Sequence, residues 1–281
     1  MKSIGIIGSG TMGLGMAQVF ALKNFEVILY DINQNALTKA KEQIFKNLAK
    51  AVEIGKLLPE ELQASQQNLH FTTDFDRLRA DMFIEAVVEK LEVKIDLFKK
   101  LAGQNESNCV LASNTSSIPI TQIASGVPNP ERVLGVHFFN PAHIMKLVEV
   151  ISGAHTKPEI ARQVFELIEK IGKVPVMAKD SPGFIVNRVA RHYYVEALKL
   201  LEEGVADIET IDLLMERLGF KMGPFRLMDL IGVDTNFSVT NSMFEQFYFD
   251  EKFRPSRIQK QKVDAGFHGR KTAKGFYTYE K

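Results

Sequence analysis

Two residues near the middle of the chain have types and spacing that suit acid–base chemistry. In GVHFFNPAHIMKLVEV, residues 135–150, His137 stands just past the apolar run Val133–Val136, and Glu149 lies in the next run, Lys146–Val150. An imidazole takes up and returns a proton near physiological pH, and a carboxylate on its other nitrogen fixes the tautomer and stabilises the imidazolium. If the second run returns antiparallel to the first, Glu149 comes beside His137. Such a pair suits removal of a hydroxyl proton as hydride leaves the same carbon. A hydrogen-bonded structural histidine with a salt-bridging glutamate fits the same spacing. His143, in the loop between the runs, competes for the base role.

Other polar groups stand at comparable positions. SNTSS, Ser113 to Ser117, follows the apolar run VLA, so it either caps the next helix or points a hydroxyl or amide at a substrate oxygen. Asn187, in PGFIVNR, is either an exposed helix residue or a second such contact. The single cysteine, Cys109, excludes an intramolecular disulfide and a cysteine zinc cluster, and no metal site is expected.

These groups need a scaffold, and the N-terminus supplies its signature. GIIGSGTMGLGMAQ holds G-x-G-x-x-G at Gly8, Gly10 and Gly13, after a strand-like run and at the start of a helical one. An acidic residue, Asp31, ends the next strand-like run, as a dinucleotide fingerprint requires. Gly8 permits the tight turn, Gly10 lets backbone approach a pyrophosphate, and Gly13 allows close packing of helix on strand. Thr11 and Met12 belong to the same cofactor-binding turn, where the helix N-terminus offers free N–H groups to phosphate. Asp31 accepts hydrogen bonds from ribose hydroxyls and repels a 2′-phosphate, so NAD is favoured over NADP.

Strand-like and helical runs alternate through the first half, which predicts an α/β fold, a Rossmann-like doubly wound sheet. The interval from Asp31 to Leu69 is too long for a simple crossover, and Leu37, Ala40, Ile44, Leu48 and Ala51 recur at helical spacing. A protruding helical hairpin is expected over residues 33–67. Its lysines, Lys39, Lys41, Lys46, Lys50 and Lys56, form either a polyanion site or a solvated face. The turn cluster Asp180–Gly183 predicts a boundary between a nucleotide domain, 1–181, and an all-α domain, 182–281. With 45% hydrophobic and 25% charged residues and net charge +1, nothing points to nucleic acid or a membrane surface as partner. No signal-peptide pattern or membrane-length apolar run is present, so a cytoplasmic location is expected.

The segments GIIGSGTMGLGMAQ, EAVVEKLEVKIDLFKKL, LASNTSSIPIT, GVHFFNPAHIMKLVEV, DSPGFIVNR, MGPFRLMDLIG and GRKTAKGFYTY resemble, in order and nearly end to end, the short-chain L-3-hydroxyacyl-CoA dehydrogenases. The resemblance implies a 3-hydroxyacyl-CoA/3-oxoacyl-CoA interconversion with His137 as base and acid and Glu149 as its partner. It implies that Ser116 and Asn187 hold substrate oxygens, and that Glu89, Lys94 and Asn114 face the nicotinamide end of NAD. It further implies that the hairpin binds CoA through Lys50 and Lys56, and that the C-terminal domain forms a homodimer. The tail looks especially like the 3-hydroxybutyryl-CoA and 3-hydroxyadipyl-CoA branch, where a distal carboxylate would want Arg188, Arg191 or Arg226. A free hydroxy-acid dehydrogenase of the gulonate type, or a non-catalytic NAD-binding protein, would share the NAD loop.

Overall fold

Short Ile-, Val- and Leu-rich runs bounded by Gly, Asn and Asp suit strands buried on both faces of a parallel sheet. In the computed structural model, which describes residues 1–280, they form β1 Ser3–Ile7, β2 Glu26–Tyr30, β3 Leu69–Thr72, β4 Met82–Glu85, β5 Val110–Ser113, β6 Val133–Phe138, β7 Leu147–Ser152 and β8 Val174–Lys179. The sheet order is β3-β2-β1-β4-β5-β6-β7-β8. Strands β1 to β6 are parallel; β7 runs antiparallel to β6, and β8 parallel to β7. The chain winds outward from β1 to β3 and then crosses back to β4. That reversal opens a crevice at the carboxyl ends of β1 and β4.

The helices of this unit are α1 Thr11–Ala21, α2 Gln34–Glu53, α3 Pro59–Gln67, α4 Leu91–Gln104, α5 Ile120–Ser125 and α6 Pro158–Lys170. Ile4, Ile6, Leu29, Met82, Ile84, Leu134, Val136 and Val150 share one core cluster with Met16 and Phe20 of α1 and Val164 and Ile168 of α6. Each such aliphatic side chain contributes about 1.5–3 kcal/mol by leaving water. The long interval after Asp31 is the helical pair α2–α3. Asn33 caps α2 by accepting from the amides of Asn35 and Ala36, and Leu37, Ala40, Ile44 and Leu48 join the core cluster. Beyond Leu48 the buried stripe ends, and α3 buries only Ser65.

Met1–Ser181 forms one compact unit, and a second begins at Pro182. That unit holds α7 Val186–Glu202, α8 Ile208–Arg217, α9 Pro224–Ile231, α10 Val233–Gln246 and α11 Arg257–Asp264. Tyr194, Leu198, Ile211, Phe225, Met228, Val233 and Phe276 form its core. Two buried carboxylates organise it, a feature that hydrophobic periodicity does not disclose. Asp212 of α8 accepts from the amides of Phe225 and Arg226 at 2.8 and 3.0 Å, capping α9, whose own N-cap is a glycine. Asp229 of α9 accepts from the amides of Phe276 and Tyr277 and from the Tyr279 hydroxyl, each at 2.9 Å. The C-terminal GFYTY segment is thereby fastened to α9.

Asp229→Ala would leave the buried Phe276 amide without its acceptor and is expected to cost about 3 kcal/mol, since each orphaned buried donor carries its full desolvation penalty. Urea denaturation measures this, and an unchanged midpoint would show that the carboxylate does not hold the tail.

Candidate active site

His137 and Glu149 come together through register. β6 extends to Phe138 because its ladder with β7 continues that far, so His137 lies inside the strand rather than beyond it, and directly opposite Glu149. Nδ1 of His137 is 2.7 Å from Oε2 of Glu149, and the two residues are buried, with Glu149 0% exposed. An ionised carboxylate only accepts, so facing Glu149 the ring presents its N–H at Nδ1. The Phe139 ring lies 4.5 Å from the imidazole, centre to centre.

His143 has a different setting. It is half-buried, and burial and then the neighbouring Lys173 charge push its pKa below the usual histidine value. Among the described residues no carboxylate pairs with it. Lys173 donates from Nζ to the carbonyls of Ala142 and Met145 at 2.6 and 2.7 Å, which pins the loop joining β6 to β7.

The ends of β4, β5 and β6 are tied to one another. The Asn114 amide donates to the Glu85 carbonyl, and its side-chain oxygen accepts from the Phe138 amide, both at 2.9 Å. Ser116, half-buried, donates its amide to Glu89 at 3.3 Å. Glu89 Oε1 also accepts from the hydroxyls of Thr115 and Ser117. Lys94 is 1% exposed and donates to both oxygens of Glu85, at 2.7 and 2.9 Å, and to Glu89 at 3.1 Å. Burial alone would raise the Glu89 pKa, but the Lys94 charge and the bonds from Thr115, Lys94 and Ser117 hold it below the ordinary range.

Sequence reasoning missed Glu85, which is wholly buried at the end of β4 and accepts from Lys94, Ser113 and the Val87 amide. An acid closing the apolar run MFIE was the available signal. It also missed Ser9, for which the sequence carries no signal.

The glycine loop opens on a cleft of about 710 Å³ lined by Gly8, Gly10, Tyr30, Asp31, Ile32, Phe75, Ala86, Val87 and Val88, among others. Gly8 has φ +99°, and a Cβ there would stand 2.6 Å from the Ala86 carbonyl oxygen. A Cβ on Gly13 would strike the Gly8 carbonyl at 1.7 Å, so its close packing is chiefly against the glycine turn and only secondarily against β1. A Cβ on Gly10 would meet nothing within 4 Å, so the space above it is open to a ligand.

Thr11 and Met12 are the first residues of α1, whose start carries no side-chain cap and no acidic residue. Its N–H groups therefore suit a phosphate. One oxygen of Asp31 accepts from the Ser9 amide and hydroxyl at 2.8 and 2.7 Å, and the other from the Asn33 amide at 2.9 Å. Burial would raise the Asp31 pKa, yet these bonds hold it below its ordinary value, so the carboxylate is ionised where it faces the cleft. An open glycine, an uncapped helix start and an ionised acid on the neighbouring strand fit a dinucleotide.

Lys50 and Lys56 are exposed, in the last turn of α2 and just beyond it. Among the described residues neither makes an ion pair, nor do Lys39 and Lys46, whereas Lys41 lies 5.7 and 5.6 Å from the Phe45 and Phe71 rings. Asn187 is half-buried in the first turn of α7. Of the three arginines considered for a distal carboxylate, Arg226 lies 4.3 Å over the Tyr277 ring beside Asp212 and Glu216. Arg191 is buried and donates to the Asn236 carbonyl and the Thr240 hydroxyl, and Arg188 lies over the Phe247 ring.

Comparison with known proteins bears on the same elements. Residues 3–181 match the model of the 3-hydroxyacyl-CoA dehydrogenase NAD binding domain, and residues 183–279 that of the 3-hydroxyacyl-CoA dehydrogenase C-terminal domain. A 3-hydroxyadipyl-CoA dehydrogenase of Escherichia coli K12 is 48% identical over 99% of this chain, which spans only 59% of that protein. A probable 3-hydroxybutyryl-CoA dehydrogenase of Deinococcus radiodurans is 44% identical over 98% of this chain and 99% of its own. The crystal structure of (S)-3-hydroxybutyryl-CoA dehydrogenase from Ralstonia eutropha superposes with a TM-score of 0.96 at 36% identity, covering 100% of both chains. The solved 3-hydroxybutyryl-CoA dehydrogenase from E. coli K12 gives 0.97 at 48% identity, over 99% of this chain and 59% of that one.

Lys94→Met would leave Glu85 and Glu89 without their shared cation. A loss of about 3–5 kcal/mol is expected from removing one partner of a buried ion pair. Chemical denaturation of the purified variant checks this; full stability retained would show that the ammonium is dispensable to the site.

Proposed function

The chain belongs to the 3-hydroxyacyl-CoA dehydrogenase family, and from that premise we propose that it interconverts short-chain (S)-3-hydroxyacyl-CoA and 3-oxoacyl-CoA with NAD. The observation that carries the proposal is the 2.7 Å His137–Glu149 contact, on the same sheet as the glycine loop and its cleft.

NAD, when bound, supplies the hydride acceptor for oxidation and the hydride donor for reduction. The protein's residues handle the proton and the positioning. His137 takes the 3-hydroxyl proton on Nε2 during oxidation and returns it during reduction. Glu149 keeps Nδ1 protonated and stabilises the imidazolium, which a buried carboxylate does better than one in water. Ser116 holds a substrate oxygen. Gly8 to Gly13 take the pyrophosphate, Asp31 the adenosine ribose, and Glu89, Lys94 and Asn114 border the nicotinamide end. Lys50 and Lys56 supply positive charge to the CoA phosphates, and their exposure with no ion-pair partner among the described residues supports that role. A homodimer through the second unit is supported by exposed Leu213, Leu214, Leu218 and Phe220, an apolar set that solvent does not favour.

The direct test follows NADH absorbance with acetoacetyl-CoA and, in parallel, with free acetoacetate. Turnover is expected with the thioester; turnover of the free acid alone defeats the CoA assignment, and turnover of neither favours a silent NAD-binding protein. His137→Gln is expected to lower kcat by about 10²–10⁴-fold, the usual contribution of a positioned acid–base group, with NAD binding retained. A variant of near wild-type rate would move the base elsewhere, His143 being the first alternative. With NADPH in place of NADH the rate is expected to fall, because Asp31 repels a 2′-phosphate; a preference for NADPH contradicts its assignment.

A further inference from the structure

The cluster of Glu85, Glu89 and Lys94 carries charges that do not cancel. Lys94 spends its donors on Glu85, at 2.7 and 2.9 Å, and on Glu89, at 3.1 Å. Among the described residues, every other contact of the two carboxylates is also a donor. Glu85 accepts from the Ser113 hydroxyl and the Val87 amide, and Glu89 from the hydroxyls of Thr115 and Ser117 and the Ser116 amide. Donors alone surround both carboxylates, the setting that a negative charge requires. Two carboxylates and one ammonium leave one negative charge in excess, and among the described residues no second cation touches either acid. Glu85 and Lys94 have side chains 0% and 1% exposed and pair closely, so the excess lies towards Glu89, whose side chain is 39% exposed and which water screens only in part.

The position of the cluster gives the charge a target. Ala86, Val87 and Val88, between Glu85 and Glu89, line the cleft that Gly8, Gly10 and Asp31 also line. Thr115 and Ser117, bonded to Glu89, follow Asn114, whose side chain holds the end of β6 beside His137. The cluster therefore stands between the dinucleotide cleft and the His137–Glu149 pair. A dinucleotide crossing the switch point with its adenosine at Asp31 carries its other end over β4 and β5 towards His137. The oxidised nicotinamide ring bears a positive charge, and the reduced ring does not.

We propose that the Glu85–Lys94–Glu89 cluster sets the redox preference of the cofactor site, its excess negative charge stabilising bound NAD⁺ relative to bound NADH. The proposal rests on the NAD-dependent activity inferred above. In the reductive direction the 3-oxo carbon receives hydride from NADH and the oxygen receives the proton of the His137 imidazolium. The product pair is then 3-hydroxyacyl-CoA and NAD⁺, and the cluster favours that side of the equilibrium on the protein.

Equilibrium binding tests this with the full chain and no acyl-CoA, measuring the Kd of NAD⁺ and of NADH separately for wild type, Glu85→Gln, Glu89→Gln and Glu89→Asp. Removing the charge is expected to weaken NAD⁺ relative to NADH by roughly three- to ten-fold, as one partly screened unit charge would. Glu89→Asp, which keeps the charge, should keep the wild-type ratio. Equal weakening of both forms in the glutamine variants, or a shift of the ratio towards NAD⁺, overturns the proposal and leaves the cluster a structural role. Should Glu85→Gln fail to fold, the more exposed Glu89→Gln carries the test alone. Wild-type protein that binds neither form would instead defeat the NAD assignment itself.

Discussion

The antiparallel register of β6 and β7 is the constraint on which the site depends. Five parallel pairings span the sheet from β3 to β6, and each places the strand ends on the same side of the sheet. Reversing at β7 sets Glu149 across from His137 in a single ladder position, with 2.7 Å between the ring nitrogen and the carboxylate. Side chains on a strand alternate faces, so a slip of one residue would send Glu149 to the opposite side. Lys173 restrains the connecting loop from the far end, through two carbonyl contacts. The geometry of the pair is thus a property of the sheet and does not rest on a flexible segment.

A second theme is the use of buried charge as an organiser. Glu85 and Lys94 gather the ends of β4 and β5, half-buried Asp31 gathers the glycine turn, and Asp212 and Asp229 gather α9 and the C-terminal segment. Each carboxylate is surrounded by amides, hydroxyls or an ammonium, which is the condition under which burying it is tolerable. Apolar packing would have filled the same volumes. What the charges add is direction, because a carboxylate satisfied by particular N–H groups accepts few other arrangements. In the first unit that direction serves the crevice; in the second it fastens a C-terminal segment whose Phe276 also packs into the core.

Much of this was legible in the sequence. Apolar runs bounded by turn residues located all the strands described, and the 3.6-residue spacing of Leu37, Ala40, Ile44 and Leu48 located α2. The glycine fingerprint with Asp31 located the cleft, since a backbone that turns sharply before a helix leaves its mark as glycines at set positions. Helices α9 and α11 escaped, because few of their residues are buried in a regular stripe: α11 buries only Gln259, and the start of α9 is capped by Asp212 from another helix. Glu85 and Ser9 escaped for a different reason. Their partners are Lys94 and Asp31, and no local pattern links a strand end to a residue on a distant helix or strand.

Sequence alone determined the order of elements, the glycine turn and the presence of a histidine and a glutamate on successive strands, because these depend on local propensity and short-range periodicity. Tertiary structure decided which of two histidines has a carboxylate against it, which lysines are buried with acids and which are left in solvent, and where uncancelled charge lies beside the cleft. Those outcomes depend on distances of a few ångströms between residues far apart in the chain, and only the folded sheet sets them.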